Sequence, residues 1–171
     1  KRAKMVQDSL RVLLGFFITA ILQVLIFDNI NLFGFSCPAV YLFFIISYRF
    51  DSSQFTLILL GFLLGFVIDI FQNTSGANTI ATLLISFIRP MVIRFSFGVI
   101  PDSNTLLSMK SRMGNQAVYI GLMILIHQFA LQSIAYFDVT HITLILRNSL
   151  VNTALTFILL LATLNLTKKK N

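Results

Sequence analysis

The chain has 171 residues, enough for one domain, yet 57% of them are hydrophobic and only 11% are charged. A soluble domain carries about 25% charged residues, so these proportions exclude water as the main solvent and indicate an integral membrane protein. The formal charge of +7 lies in basic residues gathered at segment ends, with no basic stripe on a solvated face, which excludes a nucleic-acid binder and reads as a membrane orientation signal.

The basic opening Lys1-Arg2-Ala3-Lys4 precedes an apolar run too long for a signal peptide, and no small-residue cleavage site follows. An uncleaved first span is expected over about 10–27, close to the length a bilayer needs. Asp28-Asn29-Ile30-Asn31 makes a polar turn, and Gly34 and Pro38 punctuate the approach to a shorter second span, about 38–50. The one cysteine, Cys37, excludes an internal disulfide framework and reads as a small apolar filler.

After the polar link 49–54, where Ser52 or Ser53 suits a helix cap, the third span is predicted over about 55–73. Asn73-Thr74-Ser75-Gly76 closes it with turn residues, Gly76 being suited to a left-handed stop. The fourth span, about 77–97, carries Pro90, which removes a backbone bond and favours a kink. Residues 98–116 form the longest polar segment, in which Leu106, Leu107, Met109 and Met113 suit a short interfacial helix. The fifth and sixth spans are predicted over about 117–137 and 142–166. Tyr41, Tyr48, Tyr119 and Tyr136 fall near span ends, as interfacial anchors do.

Six spans place every terminal and loop lysine and arginine on one side, including Lys110, Arg112 and Lys168 to Lys170. The links 28–37, 73–78 and 137–141 contain none. The fold expected is therefore an all-α membrane protein of six transmembrane helices, with both termini cytoplasmic.

Three charges lie inside spans: Asp69, Arg89 and Arg147. Each costs roughly 2.5–3.5 kcal/mol at a helix centre unless it finds a partner or a wet cavity. At a rise of about 1.5 Å per residue, Asp69 and Arg147 lie roughly 6 and 7 Å below the outer surface and Arg89 roughly 18 Å. Depth thus favours Asp69–Arg147 over Asp69–Arg89. Polar stripes accompany the charges: Asn148, Asn152 and Thr156; Thr79, Thr82, Ser86 and Arg89; Gln128 and Gln132 beside His127. Facing stripes build either a polar seam of bundle hydrogen bonds, each about 0.6 kcal/mol, or a pocket for a partner or ligand. Asp69, Asn73, Thr74, Gly76, Asn78, Arg89, Arg147, Asn148 and Asn152 are the candidate partner or pocket residues. Gly61, Gly65 and Pro90 are the candidate packing residues. His127 reads as a hydrogen-bonded interior residue, His141 as a loop residue. No nucleophile with a base, metal-ligand cluster or phosphate loop is legible, so neither catalysis nor a cofactor is expected.

The motifs Pro38-Ala-Val-Tyr41-Leu-Phe-Phe, Leu60-Gly61-Phe-Leu-Leu-Gly65-Phe-Val-Ile-Asp69-Ile-Phe, Asn73-Thr74-Ser-Gly76 and Phe87-Ile-Arg89-Pro90 resemble those of the rod shape-determining protein MreD family. They cover about a third of the chain; the remainder agrees in length and topology. The resemblance implies a non-catalytic protein of the bacterial inner membrane that binds MreC within the cell-wall elongation machinery. It also implies association with the filament protein MreB and with the elongation glycosyltransferase–transpeptidase pair, in contact with membrane lipid. The family's fold is similar to the substrate-binding subunits of energy-coupling-factor vitamin transporters. Such a subunit, with the polar seam enclosing a small ligand, is the alternative function.

Overall fold

A computed structural model describes residues 2–29, 37–49, 53–98, 107, 112–137 and 139–168. Among them there is no strand. Six α-helices run in chain order: α1 (Arg2–Leu25), α2 (Leu42–Ser47), α3 (Gln54–Gln72), α4 (Ala77–Phe97), α5 (Met113–Tyr136) and α6 (Ile142–Lys168). Short 3-10 turns occupy Phe27–Asn29 and Val139–His141. Five helices are long and apolar enough to cross a membrane, so the chain is a multi-pass membrane protein by length and composition. The predicted spans 10–27, 55–73, 77–97, 117–137 and 142–166 each fall on one of them. Of the segment 98–116, where an interfacial helix is expected, residues 99–106 and 108–111 lie outside the described residues, and Met113, one of the four residues assigned to it, instead begins α5. Gly34 and Ser52 also lie outside them; Ser53 is the N-cap of α3 but makes no side-chain cap bond.

The second expected span differs. It contains only the six-residue helix α2, flanked by irregular backbone at 37–41 and 48–49. Cys37 Sγ lies 3.5 Å from the carbonyl of Phe27, past the end of α1, whereas Ser47 and Arg49 share a cavity with Arg11. Residues 37–49 therefore run antiparallel along α1. Tyr41, Leu42, Ile45 and Ile46 are fully enclosed, and Phe44 meets Phe16 edge to face at 5.8 Å. An apolar stretch this short is more typical of a buried core segment than of a lipid-facing helix.

The long helices surround that segment. α1 rests on α3, α3 on α4, α4 on α5 and α5 on α6. Gln72 at the end of α3 donates to Asp28 just past α1 at 2.6 Å, so α1 and α3 finish at the same end of the bundle. Outward faces carry Leu14, Phe17, Phe62, Phe66, Phe87 and Met91, the surface expected toward lipid.

The α3–α4 contact is the closest, because two glycines permit it. A Cβ on Gly65 would sit 2.6 Å from Thr79 Cα and 2.8 Å from the Asn78 carbonyl oxygen. One on Gly61 would strike Ser86. Neither position has room for a side chain at this contact. Pro90 lies within α4, which continues as helix through it. Its missing N–H orphans the carbonyl four residues back, that of Ser86. Gln54, the first residue of α3, donates its side-chain amide to that oxygen at 2.7 Å.

Candidate functional site: the buried polar network

The turn 73–76 joins α3 to α4 through left-handed backbone at Asn73 (φ 53°), Ser75 (φ 52°) and Gly76 (φ 94°). Gly76 is the N-cap of α4 and has no side chain with which to cap it. Asp69 supplies the missing acceptor from across the hairpin. Its Oδ1 accepts the backbone N–H of Asn78 at 2.9 Å and the Thr74 hydroxyl; its Oδ2 accepts the backbone N–H of Thr79 at 2.8 Å and the Thr79 hydroxyl. Asn78 and Thr79 are the second and third residues of α4, whose N–H groups would otherwise be orphaned. The carboxylate also meets the positive end of the helix dipole. Asp69 is buried, and its partners are these amides and hydroxyls. It is not brought to Arg147 or Arg89, so the pairing expected from depth does not form. A helix N-terminus offers the carboxylate more donors at shorter range than an arginine on a helix farther along the chain.

Asn78 joins this clamp to the core. Its amide nitrogen faces Asp69 Oδ1 at 3.2 Å, Gln72 Oε1 at 2.9 Å and Thr74 Oγ1 at 2.8 Å, and its oxygen accepts the Tyr41 hydroxyl at 2.8 Å. Because Tyr41 gives its one proton to Asn78, His127 Nε2, 2.9 Å away, carries a proton and donates it to the tyrosine oxygen. The other ring nitrogen, Nδ1, is buried with no partner among the described residues. His127 is thus the hydrogen-bonded interior residue expected, and His141 lies in the short turn before α6.

Residues 38–41 are not helical, so their backbone polar groups need partners from elsewhere. Gln23 of α1 accepts the N–H groups of Val40 and Tyr41 at 2.8 and 3.3 Å and donates to the Pro38 carbonyl at 3.1 Å. Thr156 of α6 accepts the N–H of Ala39 at 3.1 Å. At the far end of the segment Arg89, 2% exposed, donates to the carbonyls of Tyr48 and of Ile46 (3.3 Å) and to the Tyr119 hydroxyl at 2.9 Å. Tyr119 passes its own proton to the Ile46 carbonyl at 3.0 Å. Arg89 thereby holds the carbonyls at the C-terminus of α2, where the helix dipole favours a cation.

On α6, Asn148, Asn152 and Thr156 are buried, as their spacing predicts. Asn148 donates to the Tyr136 hydroxyl at 2.8 Å, and Arg147 Nε approaches Asn148 Oδ1 at 3.3 Å. Arg147 itself is exposed, outside the seam where sequence reasoning put it. The tyrosines also differ from expectation. Tyr41, Tyr48 and Tyr119 are buried among the helices, and only Tyr136 is half exposed. The hydroxyls of Tyr41 and Tyr119 find partners inside, which a position near a span end does not reveal. Gln23 and Gln54 were not among the candidate residues; a glutamine within an apolar run was the available signal for Gln23, whereas Gln54 closes a polar link and gave none. Gln128 is fully buried, and neither of its amide atoms has a partner among the described residues. Among the described residues no three His, Cys, Asp or Glu side chains gather as a metal group.

No protein-family model, curated protein or solved structure matches this chain.

Proposed function

We propose that this chain is a non-catalytic adaptor of the bacterial elongation machinery, of the MreD family, seated in the inner membrane and bound to MreC. The observation that supports this reading is that the motif residues are connected, in part through Asn78, Thr79 and Ser86, which lie outside the motifs. Gly61 meets Ser86, Gly65 meets Thr79, Asp69 caps α4, Asn78 reaches Tyr41, and Arg89 holds the end of the segment that begins at Pro38. Residues scattered over fifty positions thus make one structural unit, as expected if the likeness is one of fold rather than of hydrophobic composition.

In this reading the segment 37–49 is a sixth crossing. From Arg11 to Phe27 along α1 is roughly 24 Å, which the segment covers in reverse. Irregular backbone is tolerated at that depth only where protein encloses it, and Gln23, Thr156, Arg89 and Tyr119 supply its partners. Six crossings return both termini to the basic, cytoplasmic side. MreC then docks on outward faces, since Asp69, Asn78 and Arg89 are engaged within the bundle. MreB and the glycosyltransferase–transpeptidase pair associate through the same assembly.

A second reading, a substrate-binding subunit of a vitamin transporter, is favoured by His127 Nδ1 and the Gln128 amide, which have no partner among the described residues and which a small polar ligand would satisfy. Copurification of the tagged chain from its native membrane in mild detergent separates the two. Recovery of MreC supports the adaptor. A tightly bound small molecule together with an ATPase module rejects it in favour of the transporter subunit.

A further inference from the structure

The buried clamps leave one concave site unexplained. At the end of the bundle away from Asp69, a cavity of about 250 Å³ lies between α1 and the segment that ends in Arg49. Arg11 and Arg49 line it together with Ser47, and Val12, Gly15 and Phe44 supply apolar wall. Arg11 is exposed and Arg49 half-buried. Arg11 sits one residue into the apolar stretch Leu10–Asn29, at the depth where headgroups give way to hydrocarbon. Gly15 lies one turn further in and leaves the wall low: a Cβ there would already come within 3.6 Å of Phe44. Behind the cavity, Arg89 donates to the carbonyl of Tyr48, another wall residue, adding positive charge on the same side.

We infer that this cavity binds an anionic phospholipid, with its phosphate between Arg11 and Arg49 and the start of an acyl chain over Gly15 and Phe44. The order along the membrane normal carries the assignment: cations at the mouth, then apolar wall leading toward the bilayer centre beside the exposed Leu13, Leu14 and Phe17. A free phosphate has no use for the apolar half. An acidic peptide would need to run along the interface, whereas this cavity extends down α1. The site stands apart from the adaptor reading and holds for any multi-pass role of this chain.

The test is native mass spectrometry of the detergent-purified chain with equimolar phosphatidylglycerol and phosphatidylcholine of identical acyl chains. Phosphatidylglycerol is expected to be retained about thirtyfold better, the effect of two basic groups at the headgroup. Arg11→Gln with Arg49→Gln should abolish that preference, Arg11→Lys with Arg49→Lys should keep most of it, and Lys168→Gln with Lys169→Gln and Lys170→Gln should leave it intact. Gly15→Leu, which fills the apolar wall, should reduce retention with both arginines present. A preference that survives the double glutamine variant, in protein that still elutes as a monodisperse species, overturns the site. Displacement by millimolar inorganic phosphate, with Gly15→Leu without effect, overturns the lipid assignment in favour of a simple anion site.

Discussion

Two buried charges, Asp69 and Arg89, sit toward opposite ends of the bundle and bind opposite halves of the peptide group. Asp69 takes the N–H donors at the start of α4, and Arg89 takes the carbonyl acceptors at the end of α2. Each charge matches the sign of the dipole at its helix terminus. The difference lies in what the chain does nearby. α3 and α4 are joined by a tight turn whose cap residue is glycine, so the acceptor comes from one helix away. The last carbonyls of α2, like those of any helix, have no donor within the helix, and they are met by a cation from α4 and a hydroxyl from α5. In a bilayer, where water is not available as a substitute partner, both arrangements answer the same requirement that no backbone group be left alone. Backbone groups at helix termini are thus the partners of both these intramembrane charges.

That comparison ranks the consequences of removing each charge. Asp69→Ala leaves two buried N–H groups and two hydroxyls without their acceptor, at about 1–3 kcal/mol for each unsatisfied group. The expected outcome is loss of monodisperse protein in mild detergent at ordinary temperature, with Asp69→Asn intermediate because it keeps one acceptor oxygen. Adding Arg147→Asp to Asp69→Arg should give no rescue, since Arg147 is exposed and Asp69 is held by α4. Recovery of folded protein in that double variant would revive the ion pair and break the comparison at its anionic end.

Arg89→Met should cost less. It removes a buried charge along with its bonds, and removing the charge offsets part of the loss. The Ile46 carbonyl retains the Tyr119 hydroxyl, and carbonyls tolerate partial satisfaction better than N–H groups do. A lowered but measurable thermal midpoint in detergent is expected. A loss greater than that of Asp69→Ala would mean that the acceptor end, not the donor end, governs the fold.

Much of this architecture was legible in the sequence, and the reason is the membrane itself. Five long apolar runs locate five helices, within a few residues except for α1, which begins eight residues before the expected span, and Gly61, Gly65 and the stripe Thr79, Thr82, Ser86 and Arg89 are buried where period 3.6 puts them. What periodicity does not reveal is pairing. Asp69 was matched to an arginine by depth, but depth takes no account of helix termini, and the N–H groups of Asn78 and Thr79 lie nearer. The stretch 38–50 read as a helix because it is apolar. Pro38 and the reach of Gln23 and Thr156 make its first part irregular, and only tertiary partners on α1 and α6 allow that.

Tyr41→Phe probes the link between the two regions at smaller cost. It removes one donor to Asn78 and the acceptor for His127 while keeping the ring in place. About 1 kcal/mol is expected for the lost hydrogen bond, more if His127 Nε2–H finds no substitute. The thermal midpoint should fall by less than in Arg89→Met. A fall as large as that of Asp69→Ala would show that Asn78, rather than the carboxylate, organises the α4 start.

The smallest effect gives the sharpest test, because it isolates one carbonyl. Gln54 donates to Ser86 O only because Pro90 has no N–H to give it. Gln54→Leu should therefore cost about 0.5 kcal/mol, the low end for one hydrogen bond at a part-buried position. Pro90→Ala restores the ordinary helical bond to that oxygen, so in its presence Gln54→Leu should cost close to nothing. A double-mutant cycle on thermal midpoints reads the difference directly, and a coupling near zero would mean that the Gln54 contact is incidental. A clear coupling would extend the logic of Asp69 and Arg89 to a neutral side chain. A polar residue inside these spans would then be predicted by the backbone group its neighbours leave unpaired, with charge deciding only which half of the peptide it serves.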